Sequence, residues 1–81
     1  FTKAIDAYSI EKDFLGAIEF LEKSKKRMPE YNLEFDYFIA KISINNNLEI
    51  EKGKKALMNC KSSYKKNRYF TEKELENLEH K

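Results

Sequence analysis

Apolar residues recur at intervals of three and four positions along most of this chain of 81 residues. The clearest example is the segment FLGAIEFLEKSKKRMP, residues 14–29, which keeps one helical face apolar until Pro29 prevents the helix from continuing. That face carries Phe14, Ala17, Ile18, Leu21, the side-chain stem of Lys25, and Met28. The chain contains only two glycines and one proline, too few turn residues for an all-β fold. The sequence therefore predicts an all-α protein.

The same spacing predicts further helices over residues 1–12, 33–45 and 48–66, and from residue 72 onward. Asp13 can cap the helix that begins at Phe14, and Thr71 with Glu74 forms a capping box for the last helix. Phe70 can pack against Leu75 across that start. The run NNN at 45–47 should end the third predicted helix. Asn46 and Glu49 then form a second capping box, at the start of the fourth.

The spacing of Tyr8, Ala17 and Pro29 resembles the skeleton of a tetratricopeptide repeat, a helix–turn–helix unit of about 34 residues. Phe1 takes the place of the leading aromatic residue, and Leu21 that of the large residue one turn after the alanine. A second, looser unit begins at Phe35 and has Ala56 as its small residue. Residues that would define the packing of the two units are Tyr8, Ala17, Leu21, Pro29, Phe35 and Ala56.

The resemblance implies antiparallel helical hairpins stacked as a right-handed solenoid of about two units plus an extra helix. Residues 1–31 would form the first hairpin and residues 32–68 a second, divergent hairpin. Residues 69–81 would form a capping helix or the start of a further unit. The chain begins at Phe1 without an initiator methionine, and we expect it to be an interior segment of a longer protein.

The resemblance also implies that the first helix of each pair lines a concave, peptide-binding surface. The residues placed on that surface are Thr2, Asp6, Ser9, Leu33, Asp36, Ala40 and Ser43. Because Asp6 and Asp36 would make the surface acidic, a basic or neutral partner segment would suit it. The function expected is that of a non-catalytic scaffold, adaptor or regulatory module binding a protein or peptide. Exposed ends of the stack could also pair between chains, giving a homo-oligomer.

Two alternatives use other features of the sequence. Residues 52–68 hold seven basic residues and no acidic one, and this stretch could be a solvated helix face or a surface for nucleic acid. The candidate docking residues there are Lys54, Lys55, Lys61, Lys65, Lys66 and Arg68. The composition, rich in Lys, Asn and Ile, is compatible with an AT-rich genome. In that setting the long, divergent repeats are also similar to those in the sensor segment of peptide-responsive Gram-positive regulators.

Catalytic residue types are scarce. His80 should be a solvated helix residue and Cys60 a small core residue, and the pair cannot supply a zinc site. Gly16 and Gly53 fall within helical patterns, where glycine permits close helix contact. We therefore expect no enzyme activity, no metal and no cofactor. No apolar run reaches the roughly 18 residues of a membrane span, and the lone cysteine favours a reducing, cytoplasmic setting.

Four aromatic residues cluster near the start of the third predicted helix. Phe35 and Phe38 fit the side facing the core, whereas Tyr31 and Tyr37 fall on other sides of the helix. The pattern therefore leaves two alternatives: the aromatic residues pack against the next helix pair, or Tyr37 and Tyr31 stay partly exposed.

Overall fold

The computed structural model describes residues 6, 8, 10–63 and 70–80. It contains four α-helices: α1 (Phe14–Arg27), α2 (Asn32–Asn46), α3 (Ile50–Ser62) and α4 (Glu72–Glu79). A single 3-10 turn, Pro29–Tyr31, joins α1 to α2, and Asp6, Tyr8 and Ile10 also have helical backbone. No strand occurs in these residues. The prediction of an all-α protein is confirmed.

Two helix starts follow directly from the sequence. The Gly16 amide donates to the Asp13 carboxylate at 3.0 Å, and the Glu74 amide donates to the Thr71 hydroxyl at 3.3 Å. Both caps satisfy backbone donors that have no partner within the helix. Phe70 and Leu75, which flank the second cap, are both buried. The predicted starts of α1 and α4 are confirmed.

The connection between α2 and α3 differs from its prediction. Asn47 adopts the left-handed conformation, with φ of 52°, and the Leu48 amide donates to the Ser43 carbonyl at 3.0 Å. This is a Schellman C-cap with asparagine at the position that glycine usually occupies. Asn46 therefore stays in α2 and donates to Ile42, and Glu49 makes no side-chain cap for α3. The predicted Asn46–Glu49 capping box is wrong. Helix α3, Ile50–Ser62, is shorter than the helix predicted over residues 48–66.

Helices α2 and α3 form an antiparallel hairpin with α2 at the centre of the fold. Ser43 lies against Gly53 near the turn, and Asp36 is bonded to Asn59 two turns away. A Cβ atom added to Gly53 would lie 2.7 Å from that of Ser43, so the two backbones approach closely only because residue 53 lacks a side chain. The prediction that Gly53 permits close helix contact is confirmed.

The other face of α2 packs against α1. Four of the residues predicted to define the repeat are buried in this core: Ala17, Leu21, Phe35 and Ala56. Tyr8 is partly buried, and its ring lies 5.9 Å from that of Phe20 in α1. Pro29 lies in the 3-10 turn that follows α1. These positions build the core between α1, α2 and α3.

Helix α4 covers a third side of α2 and decides between the two alternatives for Tyr37. The Tyr37 ring stacks on Phe70 with 4.8 Å between centroids, and its hydroxyl donates to Glu74 at 2.7 Å. Only 5% of Tyr37 is exposed, whereas Tyr31 is 46% exposed. Because α2 is covered by α1, α3 and α4, its apolar residues extend around most of its circumference.

Candidate functional site

Asp36 was predicted to face a binding groove, but its carboxylate is a buried link between three helices. Its side chain is 5% exposed and accepts a hydrogen bond from the Lys25 ammonium of α1 at 2.6 Å. The Asn59 amide of α3 donates to the second carboxylate oxygen at 3.4 Å. A carboxylate already paired in the interior is not available to a basic partner, so Asp36 is structural here.

Three further members of the predicted concave face are wholly or partly buried. Ala40 and Ser43 are fully buried, and Leu33 is partly buried. The Ser43 hydroxyl lies within hydrogen-bond distance of the backbone carbonyls of Leu48 and Glu49, and donating its proton to this pair links α2 to the turn before α3. Asp6 is exposed. The remaining two members of the set, Thr2 and Ser9, lie outside the described residues. The prediction is therefore wrong for Asp36, Ala40 and Ser43, because α1 and α3 cover that side of α2.

Cys60 is the one residue with a nucleophilic thiol, and the fold removes it from solvent. Its exposure is 0%, and its Sγ atom donates to the Leu33 carbonyl at 3.5 Å. Burial, followed by the negative charge of Asp36, raises the pKa of the thiol to about 12. A thiol that stays protonated is a poor nucleophile. The prediction that Cys60 is a core residue is confirmed.

This pKa shift predicts a loss of stability in mild alkali. The unfolded thiol titrates near pH 9.0, whereas the folded thiol keeps its proton to about pH 12. Below pH 9 the group contributes no pH dependence, and above it unfolding releases a proton, so stability falls as pH rises. We expect about 1 kcal/mol of unfolding free energy to be lost between pH 9 and 10, measured by urea denaturation. Cys60→Ser, which keeps the shape without the titration, should lack this component, and equal slopes for the two proteins would contradict the shift.

Among the described residues, an open apolar surface lies between α3 and α4, near the end of α2. It is a groove of about 450 Å³, within the size range of ligand sites in proteins. The apolar residues lining it are Ile44, Ile50, Leu57, Met58 and Leu78. Met58 is 70% exposed beside Leu57 and Leu78, which are both buried, so it supplies much of the apolar surface that water meets here. We call this surface the α3–α4 groove.

Charged residues stand at the edges of the α3–α4 groove. Lys54 and Lys61 lie on α3, and Glu79 lies on α4. The Lys61 ammonium bonds both carboxylate oxygens of Glu79 at 2.8 Å. This ion pair lowers the pKa of the Glu79 carboxyl, through the hydrogen bond first and the charge second. The groove therefore combines an apolar floor with a polar rim, as in protein–protein interfaces.

The basic stretch is only partly available as a docking surface. Lys54, Lys55 and Lys61 are exposed on α3, but Lys61 is paired with Glu79, and the neighbouring Lys52 is paired with Glu22 at 3.0 Å. Lys65, Lys66 and Arg68, the other predicted members, lie outside the described residues. Half of the cations seen on α3 are thus neutralised by acidic neighbours, which reduces the positive potential that phosphates would meet.

Neither a metal site nor a membrane-spanning helix is seen in the described segments. No group of three His, Cys, Asp or Glu side chains there is placed to hold a metal ion. None of the helices seen in those segments is long and apolar enough to cross a lipid bilayer.

The α3–α4 groove depends on residues that the sequence singled out only in part. Lys54 and Lys61 belonged to the predicted basic surface, and Leu57 lies in the segment predicted to be helical. Met58 and Leu78 were not proposed as site residues. No protein-family model, characterised protein or solved structure matches this chain.

Proposed function

We propose that the chain is a non-catalytic interaction module that binds an apolar segment of a partner protein in the α3–α4 groove. The observation that carries this proposal is the exposure of Met58 beside the apolar side chains of Leu57 and Leu78. An apolar groove of this kind gains free energy when a partner removes it from water. Methionine suits such a surface because its flexible side chain adapts to different partner shapes.

The arrangement of helices supports a related part of the proposal, a divergent tetratricopeptide-like stack. Helix α2 packs on α1 before it and on α3 after it, the order of neighbours expected in an array of helical hairpins. Ala17 and Leu21 occupy buried positions, in agreement with their proposed packing roles. The single buried thiol of Cys60 suits a reducing compartment, and we place the module in the cytoplasm.

The proposal predicts that Met58→Asp weakens binding of partner segments by at least about tenfold, because a carboxylate would be desolvated against an apolar ligand. Peptides would be selected on the wild-type chain from a displayed library of random helical sequences. Their affinities would be measured by calorimetry, and their contacts by NMR shifts of the methyl groups in the α3–α4 groove.

Leu15→Asp provides the matched control, since Leu15 is 52% exposed on α1, away from the groove. It should leave affinity unchanged. Peptides that bind Met58→Asp as tightly as the wild type would refute the proposed site. The salt dependence of binding distinguishes this proposal from the nucleic-acid alternative. Affinity for phosphates falls steeply as ionic strength rises, whereas affinity for an apolar ligand changes little.

A further inference from the structure

The side of α3 that faces the groove has a simple pattern. Lys54 and Lys61 are seven residues apart, two helical turns or about 10 Å along the axis. Leu57 and Met58 lie between them and also line the groove. Because Leu57 is buried and Met58 is 70% exposed, a partner placed along α3 would meet Met58 above the floor formed by Leu57, with a cation at each end.

The molecule already contains one helix that satisfies half of this pattern. Helix α4 buries Leu75 and Leu78, and its Glu79 pairs with Lys61. It carries four glutamates and one lysine in eight residues and is therefore an acidic amphipathic helix. Eight residues are too few for a stable isolated helix, so its contacts with the rest of the fold hold it in place. Helix α4 shows which kind of segment the basic face of α3 accepts.

Lys54, the other cation of the pattern, has no carboxylate partner among the described residues. Lys54 is exposed on the rim of the groove, and it makes no ion pair or hydrogen bond with any described residue. Its neighbour Lys55 lies on a different side of α3, where it lines a depression with Asn59 and Asp36. Lys54 is thus the cation that a ligand in the groove can reach while Lys61 is occupied by Glu79.

We propose that the occupant of the α3–α4 groove is an acidic amphipathic helix of a partner protein. Two adjacent apolar residues of that helix would pack against Leu57 and Met58, and a carboxylate one turn away would pair with Lys54. This inference rests on the proposed function and adds the chemistry of the partner. The charge of the groove supports it, because Lys54 is complementary to a carboxylate and repels a cation.

The test uses synthetic helical peptides of about 18 residues, long enough to form several turns. Each contains two adjacent leucines and one variable position, Glu, Gln or Lys, one turn before the leucines in one set and one turn after them in the other. At physiological ionic strength we expect the Glu peptide to bind about threefold more tightly than the Gln peptide, and the Lys peptide about threefold more weakly, as for an exposed ion pair. The set with the stronger preference gives the orientation of the bound helix.

Two variants test whether Lys54 is the residue that makes the Glu peptide bind most tightly. Lys54→Glu should reverse the order, so that the Lys peptide binds most tightly. Lys55→Glu makes the same change of charge at the next position of α3, outside the groove, and should keep the wild-type order. A preference that both variants reverse equally would reflect the general charge of the helix and would overturn the assignment to Lys54.

The outcomes separate this inference from the proposed function. If all three peptides bind equally and Met58→Asp abolishes their binding, the groove is a binding site but its partner is not acidic, and the inference fails alone. If no peptide shifts the groove methyl signals, the proposed site fails as well. Sedimentation of the free chain gives a third outcome: a dimer that Met58→Asp dissociates would make a second copy the occupant and would overturn the inference.

Discussion

Replacing Gly53 with alanine is expected to lower the free energy of unfolding by about 3 kcal/mol, the upper range for overpacking a core. The added Cβ atom would lie 2.7 Å from the Cβ atom of Ser43, and both atoms are fixed to helix backbones. Helices α2 and α3 would have to separate, and the bonds of the Ser43 hydroxyl to the turn would be disturbed. This cost exceeds the gain of about 1 kcal/mol from the helix propensity of alanine. Urea denaturation followed by circular dichroism measures the change.

Gly16→Ala is the matched control, because it is the same substitution in another helix. Its added Cβ atom would lie 2.7 Å from the carboxyl carbon of Asp13, a flexible side chain that can move aside at the cost of part of the cap. The net change should stay below about 1 kcal/mol. Adding Ser43→Gly to Gly53→Ala should recover at least half of the loss, which a double-mutant cycle detects. Equal effects at Gly16 and Gly53 would show that α2 and α3 are not in tight contact.

The parts of the fold predicted from the sequence depend on residues close together in the chain. Asp13 and Thr71 cap helices that begin at the next residue, and each bonds to an amide three positions on. Such signals need only local geometry. The start of α3 was missed, although the break at 45–47 was expected. Three adjacent asparagines can each adopt the left-handed conformation, and the bond from Leu48 to Ser43 decides that Asn47 does so.

The burial of Asp36 was missed and that of Tyr37 was left undecided, because both depend on contacts between distant segments. Tyr37 is covered by Phe70 and Glu74, more than 30 residues away in the chain. For Asp36 one signal was present: Lys25 interrupts the apolar face of one helix, and Asp36 stands within a strongly apolar stretch of the next. Two opposite charges at apolar positions of consecutive helices are expected to pair.

The α3–α4 groove could not be predicted for a similar reason. The lysines and leucines that line it are visible in the sequence, but the groove exists because Leu78 of α4 lies beside Leu57 of α3. The segment between these helices has no periodicity that fixes where α4 lies. The stacking of Phe70 on Tyr37, the burial of Leu75 and Leu78, and the bond between Tyr37 and Glu74 hold α4 in that position, and these contacts are known only from the structure.

Replacing Lys25 with methionine is expected to lower the free energy of unfolding by about 2 kcal/mol. Methionine keeps most of the apolar stem but removes the ammonium that bonds Asp36 at 2.6 Å. The Asp36 carboxylate, 5% exposed, would keep only the longer bond from Asn59 at 3.4 Å. Loss of one partner from a fully buried pair costs about 3–5 kcal/mol. The smaller value applies because the Lys25 side chain is 30% exposed and water can replace part of its interaction. Urea denaturation at neutral pH measures the loss of unfolding free energy.

Lys23→Met is the control on the same helix, because Lys23 and its partner Glu19 are both about 70% exposed. Its effect should be within about 0.5 kcal/mol, as for a surface ion pair. Adding Asp36→Asn to Lys25→Met should restore most of the stability, because a neutral amide is less costly to bury than an unpaired carboxylate. If the double variant is as unstable as Lys25→Met, the loss comes from packing of the Lys25 stem and not from the charge of Asp36. The buried carboxylate would then have no part in holding α1 and α3 to α2.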